Sequence, residues 1–189
     1  LFISLSILND INSTKNRNIV VYNLRSQSAI NLITEDEHVL FSDHKKSDTS
    51  SIKSRFSGYW LSKGIEMEKY IDISKDSKKF MLSNIMTINN PHIFYKGNYI
   101  GFYGIRILLL RNNEYNKKLS NKQIDLDYII VSNDTKLPEN FNNIIKFKKV
   151  IIDSSNSWYY RNKLRQQLDG MNINYHDVSE EGAFVKNVI

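Results

Sequence analysis

The residues with most chemistry to offer lie in one stretch near the end of the chain. Asp153 closes the apolar run Val150-Ile151-Ile152, and Ser154-Ser155-Asn156-Ser157 follow directly. Where a strand runs into the first turn of a helix, backbone N–H groups are left free, and neighbouring hydroxyls can join them in receiving an anion. Trp158, Arg161 and Arg165 come next at i, i+3 and i+7, so they share one stripe of a helix. An indole beside two guanidiniums offers a strip for base stacking and phosphate contact. The same residues have plainer uses. Ser155 or Ser157 can cap the helix, Trp158 can cover Phe184, and the arginines can pair with Glu180 and Glu181. Both uses stay open at this level. Serine catalysis has less behind it, since no Gly-x-Ser-x-Gly elbow surrounds the serines and no nearby histidine offers a base.

Metal chemistry has few donors to draw on. The four histidines are His38, His44, His92 and His176, and no two lie within five residues. Glu35-Asp36-Glu37-His38 can meet Asp43-His44 across one hairpin, which would offer two imidazoles and several carboxylates. A polar turn and a strand end account for the same residues more simply. His92 beside Pro91 and His176 within a strand read as surface or satisfied core residues. With no cysteine there is neither a disulfide nor a thiolate metal site.

The elements that position these residues follow from hydrophobic period and turn chemistry. Ile19–Tyr22 starts a β-branched strand, and Ala29–Ile33 pairs with His38–Phe41 around the acidic turn. A helix from Asp48 or Thr49 to Lys63 carries Ile52, Phe56, Tyr59 and Trp60 toward a core. Lys69–Ile73, Leu82–Ile88 and His92–Tyr95 read as extended, and Lys96-Gly97-Asn98 turns into Tyr99–Tyr103. Ile105–Leu110 reads as a strand covered on both faces, followed by Asp127–Val131 and a short helix from Pro138 through Ile145. In the final helix, Trp158 to about Asp169, the face carrying Tyr160, Leu164, Leu168 and Met171 should pack on a sheet. Gly170 stops it, a strand runs near Ile173–His176, and Glu181-Gly182 turns into a hairpin at Ala183–Val185.

A chain of 189 residues, 41% hydrophobic and 24% charged, suits one ordinary domain. The net charge of +6 and pI near 9.3 favour anionic partners such as nucleic acid or a lipid surface, although an AT-rich coding sequence also enriches lysine. The lysines sit in dispersed pairs, as solvated surfaces do. Leu1–Leu8 is apolar but short of the ~20 residues that cross a bilayer, so it reads as a buried strand or the tail of a membrane helix. Asn9–Asn18 reads as a polar linker.

Three blocks resemble the C-terminal soluble region of ComEC-type competence (DNA-uptake) membrane proteins, a metallo-β-lactamase-like domain. Ile19-Val20-Val21-Tyr22-Asn23-Leu24-Arg25-Ser26-Gln27-Ser28-Ala29-Ile30, then Val39-Leu40-Phe41-Ser42-Asp43, is similar to its opening strands. There a Val-Gly-Gln-Gly-Asp turn precedes an apolar strand and a Leu-Ile-Asp strand end. Gly104–Leu110 with Ile124–Ser132 forms the second block. The third is the most specific: Val150 through Asp153-Ser154-Ser155-Asn156-Ser157 to Glu181-Gly182-Ala183-Phe184 resembles the family's last strand, helix and Asp-Gly-Ala hairpin.

The resemblance implies an α/β fold, a degenerate metallo-β-lactamase-like two-sheet sandwich flanked by helices. Residues 1–18 would be the end of a membrane helix and a linker, and residues 19–189 one domain lacking metal ligands. Active members hold two metals through a His-x-His-x-Asp-His cluster, a later His, a bridging Asp and a last His, because donors must converge on ions ~3.5–4 Å apart. Here the His-His-Gly-Ser position reads Asn133-Asp134-Thr135, and Gly-Gln-Gly has become Arg25-Ser26-Gln27. Neutral Asn, Ser and Thr do not replace imidazole for a transition metal.

The expectation is therefore a non-catalytic domain with no metal and no cofactor, on the extracytoplasmic side of the bacterial inner membrane. It would assist assembly or contact incoming DNA through Ser154, Ser155, Asn156, Ser157, Trp158, Arg161 and Arg165. Its partners would be DNA, the membrane channel portion of the same chain and other competence proteins. An active metal-dependent nuclease with atypical ligands and a purely structural interaction domain are the alternatives.

Overall fold

The computed structural model describes residues 17–34, 38–43, 69–74, 91–111, 124–137, 141 and 145–188. Two mixed sheets lie face to face. In the first, β1 (Asn18–Val21), β2 (Ala29–Ile33) and β3 (His38–Ser42) run antiparallel in turn, and β4 (Lys69–Asp72) lies parallel to β3. In the second, β5 (Ile93–Lys96), β6 (Tyr99–Phe102) and β7 (Ile105–Leu110) form an antiparallel meander, and β9 (Tyr128–Val131) and β11 (Lys149–Ile152) extend it in parallel. A small parallel pair, β8 (Ile124–Asp125) with β10 (Ile145–Lys146), sits beside their starts.

The chain then runs through α1 (Trp158–Gly170), β12 (Tyr175–Asp177), the single turn α2 (Val178–Glu181) and β13 (Phe184–Asn187). β12 completes the second sheet beside β11, whereas β13 crosses to the first and pairs with β1. The Glu181-Gly182 turn is thus no hairpin. Gly182, at φ 88°, ends α2 and redirects the chain between sheets. The hydrophobic residues after it are drawn to the inter-sheet core: Phe184 packs edge-on to Tyr128, ring centroids 5.4 Å apart.

Alternation along each strand builds the layers. Ile19, Val21, Ile30, Leu32, Val39 and Phe41 face Tyr95, Phe102, Ile107, Leu109, Ile130 and Ile151 in the central core. The intervening Leu108, Leu110, Ile129, Val131, Val150 and Ile152 point to the second sheet's outer face, where Leu164 and Leu168 of α1 cover them. The outer face of the first sheet, with Val20, Tyr22, Ala29 and Leu40, is buried too. Strands covered on both faces carry runs of apolar residues rather than apolar residues at every second position, as Ile19–Val21, Ile107–Leu110, Tyr128–Val131 and Val150–Ile152 do. The result is an α/β two-sheet sandwich, consistent with a metallo-β-lactamase-like fold.

Several sequence expectations meet these elements closely: the β2–β3 pairing, the turn at Gly97 (φ 60°) and the final helix, while β7 is covered on both faces only from Ile107 on, Arg106 being exposed. Met171 departs from its expected place. It lies just past α1, 37% exposed, rather than against the sheet. Residues 1–16, the acidic turn 35–37, the helix expected over 48–63, the strand over 82–88 and most of the helix from Pro138 lie outside the described residues.

Candidate functional site

The parallel strands β9 and β11 end at one pole of the sandwich, and the loops that follow them meet the β1–β2 turn there. Asp153 is the hub. It directly follows β11 and is 0% exposed. Its Oδ2 accepts from the Ser132 hydroxyl at 2.5 Å, while Oδ1 accepts from the Ser155 N–H at 3.0 Å, the Ser155 hydroxyl and Asn156 Nδ2. Burial pushes its pKa up from 3.8 to about 6, against the hydroxyl and N–H donors that draw it down. Ser28 Oγ lies 3.5 Å from Ser132 Oγ and carries the network toward the first sheet, where the Ser28 N–H donates to Asp43.

Each loop residue is engaged from several sides. Ser154 Oγ accepts from the Leu24 N–H at 2.8 Å and is in donating range of Tyr22 O and Gln27 O, which ties the β11–α1 loop to the β1–β2 turn. Asn156 Nδ2 donates to Val131 O at 2.6 Å, and its Oδ1 accepts from the Asp134 N–H. Ser155 Oγ accepts from the Asn133 N–H, and Asp134 Oδ1 from the Ser157 N–H. Asn133 and Asp134, at φ 55° and 52°, take the left-handed turn that lets both N–H groups reach across. Ser157 is the N-cap of α1, its hydroxyl accepting from the Tyr160 N–H.

The strip expected on α1 does not hold together. Trp158 is 68% exposed, whereas Arg161 is only 9% exposed. Arg161 donates to both oxygens of buried Asp177, at 3.1 and 3.2 Å, and to Glu180 at 3.3 Å. Arg165 joins the same carboxylates at 3.7 and 3.9 Å. The acidic partners are thus Asp177 and Glu180, with Glu181 occupied by His176 and the Asp177 N–H. What reaches solvent at the start of α1 is an aromatic pair, Trp158 and the 75% exposed Tyr159.

Sequence reasoning also passed over Arg111. It follows β7 at the same pole, is 8% exposed, and its Nη1 donates to Ile73 O just past β4, bridging the two sheets. Burial draws its pKa down, while Tyr95, Asp43 and Asp72 act to keep it charged. A basic residue directly after the buried run Ile107–Leu110 was the available signal, as an acidic one was after Ile152.

Among the described residues the donors do not converge as a metal site requires. Among the described residues no group of three or more His, Asp or Glu could hold an ion. Asp153 already receives hydrogens on both oxygens. His38 and Asp43 do not meet across the hairpin: His38 opposes Ile33 at the start of β3, while Asp43 follows its far end beside Ser28. Five positions of strand separate them by about 16 Å. His38 is buried, which lowers its pKa, and His44 and Glu35–Glu37 lie outside the described residues. His92 stacks on Tyr103 at 4.5 Å, and His176 Nε2 is bonded to Gly182 O at 2.9 Å.

The family model of the ComEC C-terminal domain matches residues 19–188, nearly the whole chain. The chain belongs to the ComEC C-terminal domain family. ComEC-type proteins are bacterial membrane proteins of competence, so membership ties this domain to DNA uptake alongside a membrane channel. No curated protein and no solved structure matches it. Among the described residues no helix is long and apolar enough to cross a membrane.

Proposed function

We propose that this ComEC C-terminal domain is a non-catalytic, extracytoplasmic domain of a bacterial inner-membrane DNA-uptake protein, retained for assembly with the channel portion of its own chain or with other competence proteins. One observation carries the reading. Among the described residues, the pole where the family resemblance puts hydrolase chemistry carries hydroxyls and amides that satisfy one buried carboxylate and one another. Such groups hold loops together but do not ionise water or grip a transition metal.

Assembly is favoured over DNA contact at this pole because Asp177 and Glu180 already neutralise Arg161 and Arg165. An exposed Trp–Tyr pair without free guanidiniums suits a protein partner, where such aromatics are common anchors. Contact with incoming DNA is the second reading, supported by the exposure of those same rings, on which bases can stack.

Both readings are tested with the chain, single- and double-stranded DNA, and manganese or zinc at low salt. The expected result is no metal-stimulated cleavage. Trp158→Ala with Tyr159→Ala should leave DNA retention unchanged while weakening co-purification with the separately expressed channel portion. Metal-dependent cleavage overturns the reading, and loss of DNA retention in the double variant shifts it to DNA contact.

A further inference from the structure

The pole opposite the loop cluster carries a different surface. Both ends of the described fold emerge there: Arg17 leads into β1, and the Val188 N–H after β13 donates to Arg17 O at 2.8 Å. The Arg17 guanidinium lies 4.3 Å from the centre of the Tyr103 ring, which stacks on His92. The starts of β7, β9 and β11 and the β8–β10 pair are at this pole as well, and they bring basic side chains with them. Arg106, Lys146, Lys148 and Lys186 are exposed, and Lys149 is half-buried. The carboxylates nearby are Asp125, Asp127 and Asp169, and Asp127 is held by Lys148 at 2.7 Å. Exposed apolar groups adjoin these charges, Phe94 at 53% and Val185 at 52%. An open groove of about 530 Å³ runs past Phe94, His92, Tyr103 and Arg106.

The loop pole is the reverse. Asp43, Asp72, Asp134, Asp153, Asp177 and Glu180 gather there; of its basic groups Arg111, Arg161 and Arg165 are buried or ion-paired, and the exposed Arg25, Lys96 and Lys136 are outnumbered by those carboxylates. Among the described residues, the excess of basic over acidic side chains therefore lies at the pole where Arg17 and Val188 emerge.

We propose that this terminal pole is a docking face for anionic phospholipid headgroups, so that the sandwich rests on the membrane by its basic end. Charge complementarity supports the choice, since lysines near an anionic leaflet are attracted to it within a Debye length. Interspersed aromatic and aliphatic groups suit the headgroup boundary. Topology separates lipid from nucleic acid. Arg17 and Val188, the ends of the described fold, lie side by side at this pole, so a membrane segment joined there at either end would hold the pole against lipid and restrict access for a long polyanion. The proposal stands whether or not the loop pole retains any chemistry.

The test is flotation of the chain with vesicles of phosphatidylcholine alone or with added phosphatidylglycerol, beside retention on single-stranded DNA. Three proteins are compared: wild type, a terminal-pole variant (Lys146→Gln, Lys148→Gln, Lys186→Gln), and a loop-pole control of equal net charge (Arg25→Gln, Lys96→Gln, Lys136→Gln). Circular dichroism confirms that each is folded. Expected is phosphatidylglycerol-dependent, salt-sensitive binding that falls at least tenfold in the terminal-pole variant and under threefold in the control, one basic residue at such a surface being worth roughly fivefold. Equal binding to both vesicle types, or equal losses in the two variants, overturns the proposal. So does DNA retention abolished only by the terminal-pole changes with no phosphatidylglycerol dependence, which makes the face a nucleic-acid one.

Discussion

Asp153 concentrates the electrostatic cost of the loop pole in one side chain. Its folded pKa, about 6, lies above the ordinary 3.8, so the folded state binds its proton more tightly than the unfolded chain does. The stabilisation from that proton is complete below about pH 4 and is lost as pH rises through about 6. Two units correspond to roughly 3 kcal/mol. In Asp153→Asn the uncharged amide keeps an acceptor oxygen for the loop N–H groups and removes the ionisation. Urea unfolding at pH 4 and 7.5 should therefore show the variant gaining on wild type by a few kcal/mol at the higher pH. A gap unchanged between the two would mean that the surrounding donors fully offset burial. Asp153 was visible in the sequence as the end of an apolar run. Its importance was not, because Ser28 and Ser132, which reach it, stand far from it in the chain and carry no motif.

Among the elements, the β11–α1 loop is the most constrained. Ser154 spans the sandwich, its hydroxyl meeting three backbone groups of the β1–β2 turn. Ser154→Ala strands the buried Leu24 N–H and should cost about 1–3 kcal/mol in denaturant unfolding. Cleavage by a protease should rise first at Arg25, in the released turn. Equal stability and an unchanged cleavage pattern would show that the turn holds its own shape. Sequence pattern placed this loop and the helix after it correctly, since a strand, a Ser/Asn cap and an amphipathic repeat are local signals. The same spacing suggested a Trp–Arg–Arg strip, whose layout depends on a tertiary partner. Asp177, across from α1, pulls both guanidiniums inward and leaves the indole outside.

At the scale of the molecule, β13 is what makes two sheets one unit. It leaves β12 in the second sheet and pairs along all of β1 in the first, carrying Phe184 and Val188 into the shared core. A chain ending at Gly182 would expose one edge of β1 and remove both side chains. It should lose cooperative thermal unfolding, and a sharp transition in calorimetry would show instead that the sheets associate without this strand. The two poles then divide the surface, with exposed lysines where Arg17 and Val188 emerge and the exposed Trp158–Tyr159 pair at the other end.

By itself the sequence determined the strands of the sandwich, the capped final helix, the poverty of metal donors and the ComEC resemblance. These depend on residue type and on neighbours a few positions apart. Only the tertiary structure decided which polar groups answer one another: Ser154 with Leu24, 130 positions away, Arg161 with Asp177, β13 with β1 and not β12, and basic charge gathered at one pole. The physical reason is that burial makes a polar group choose a partner by proximity in space, and a linear pattern carries no record of which distant segment will be near.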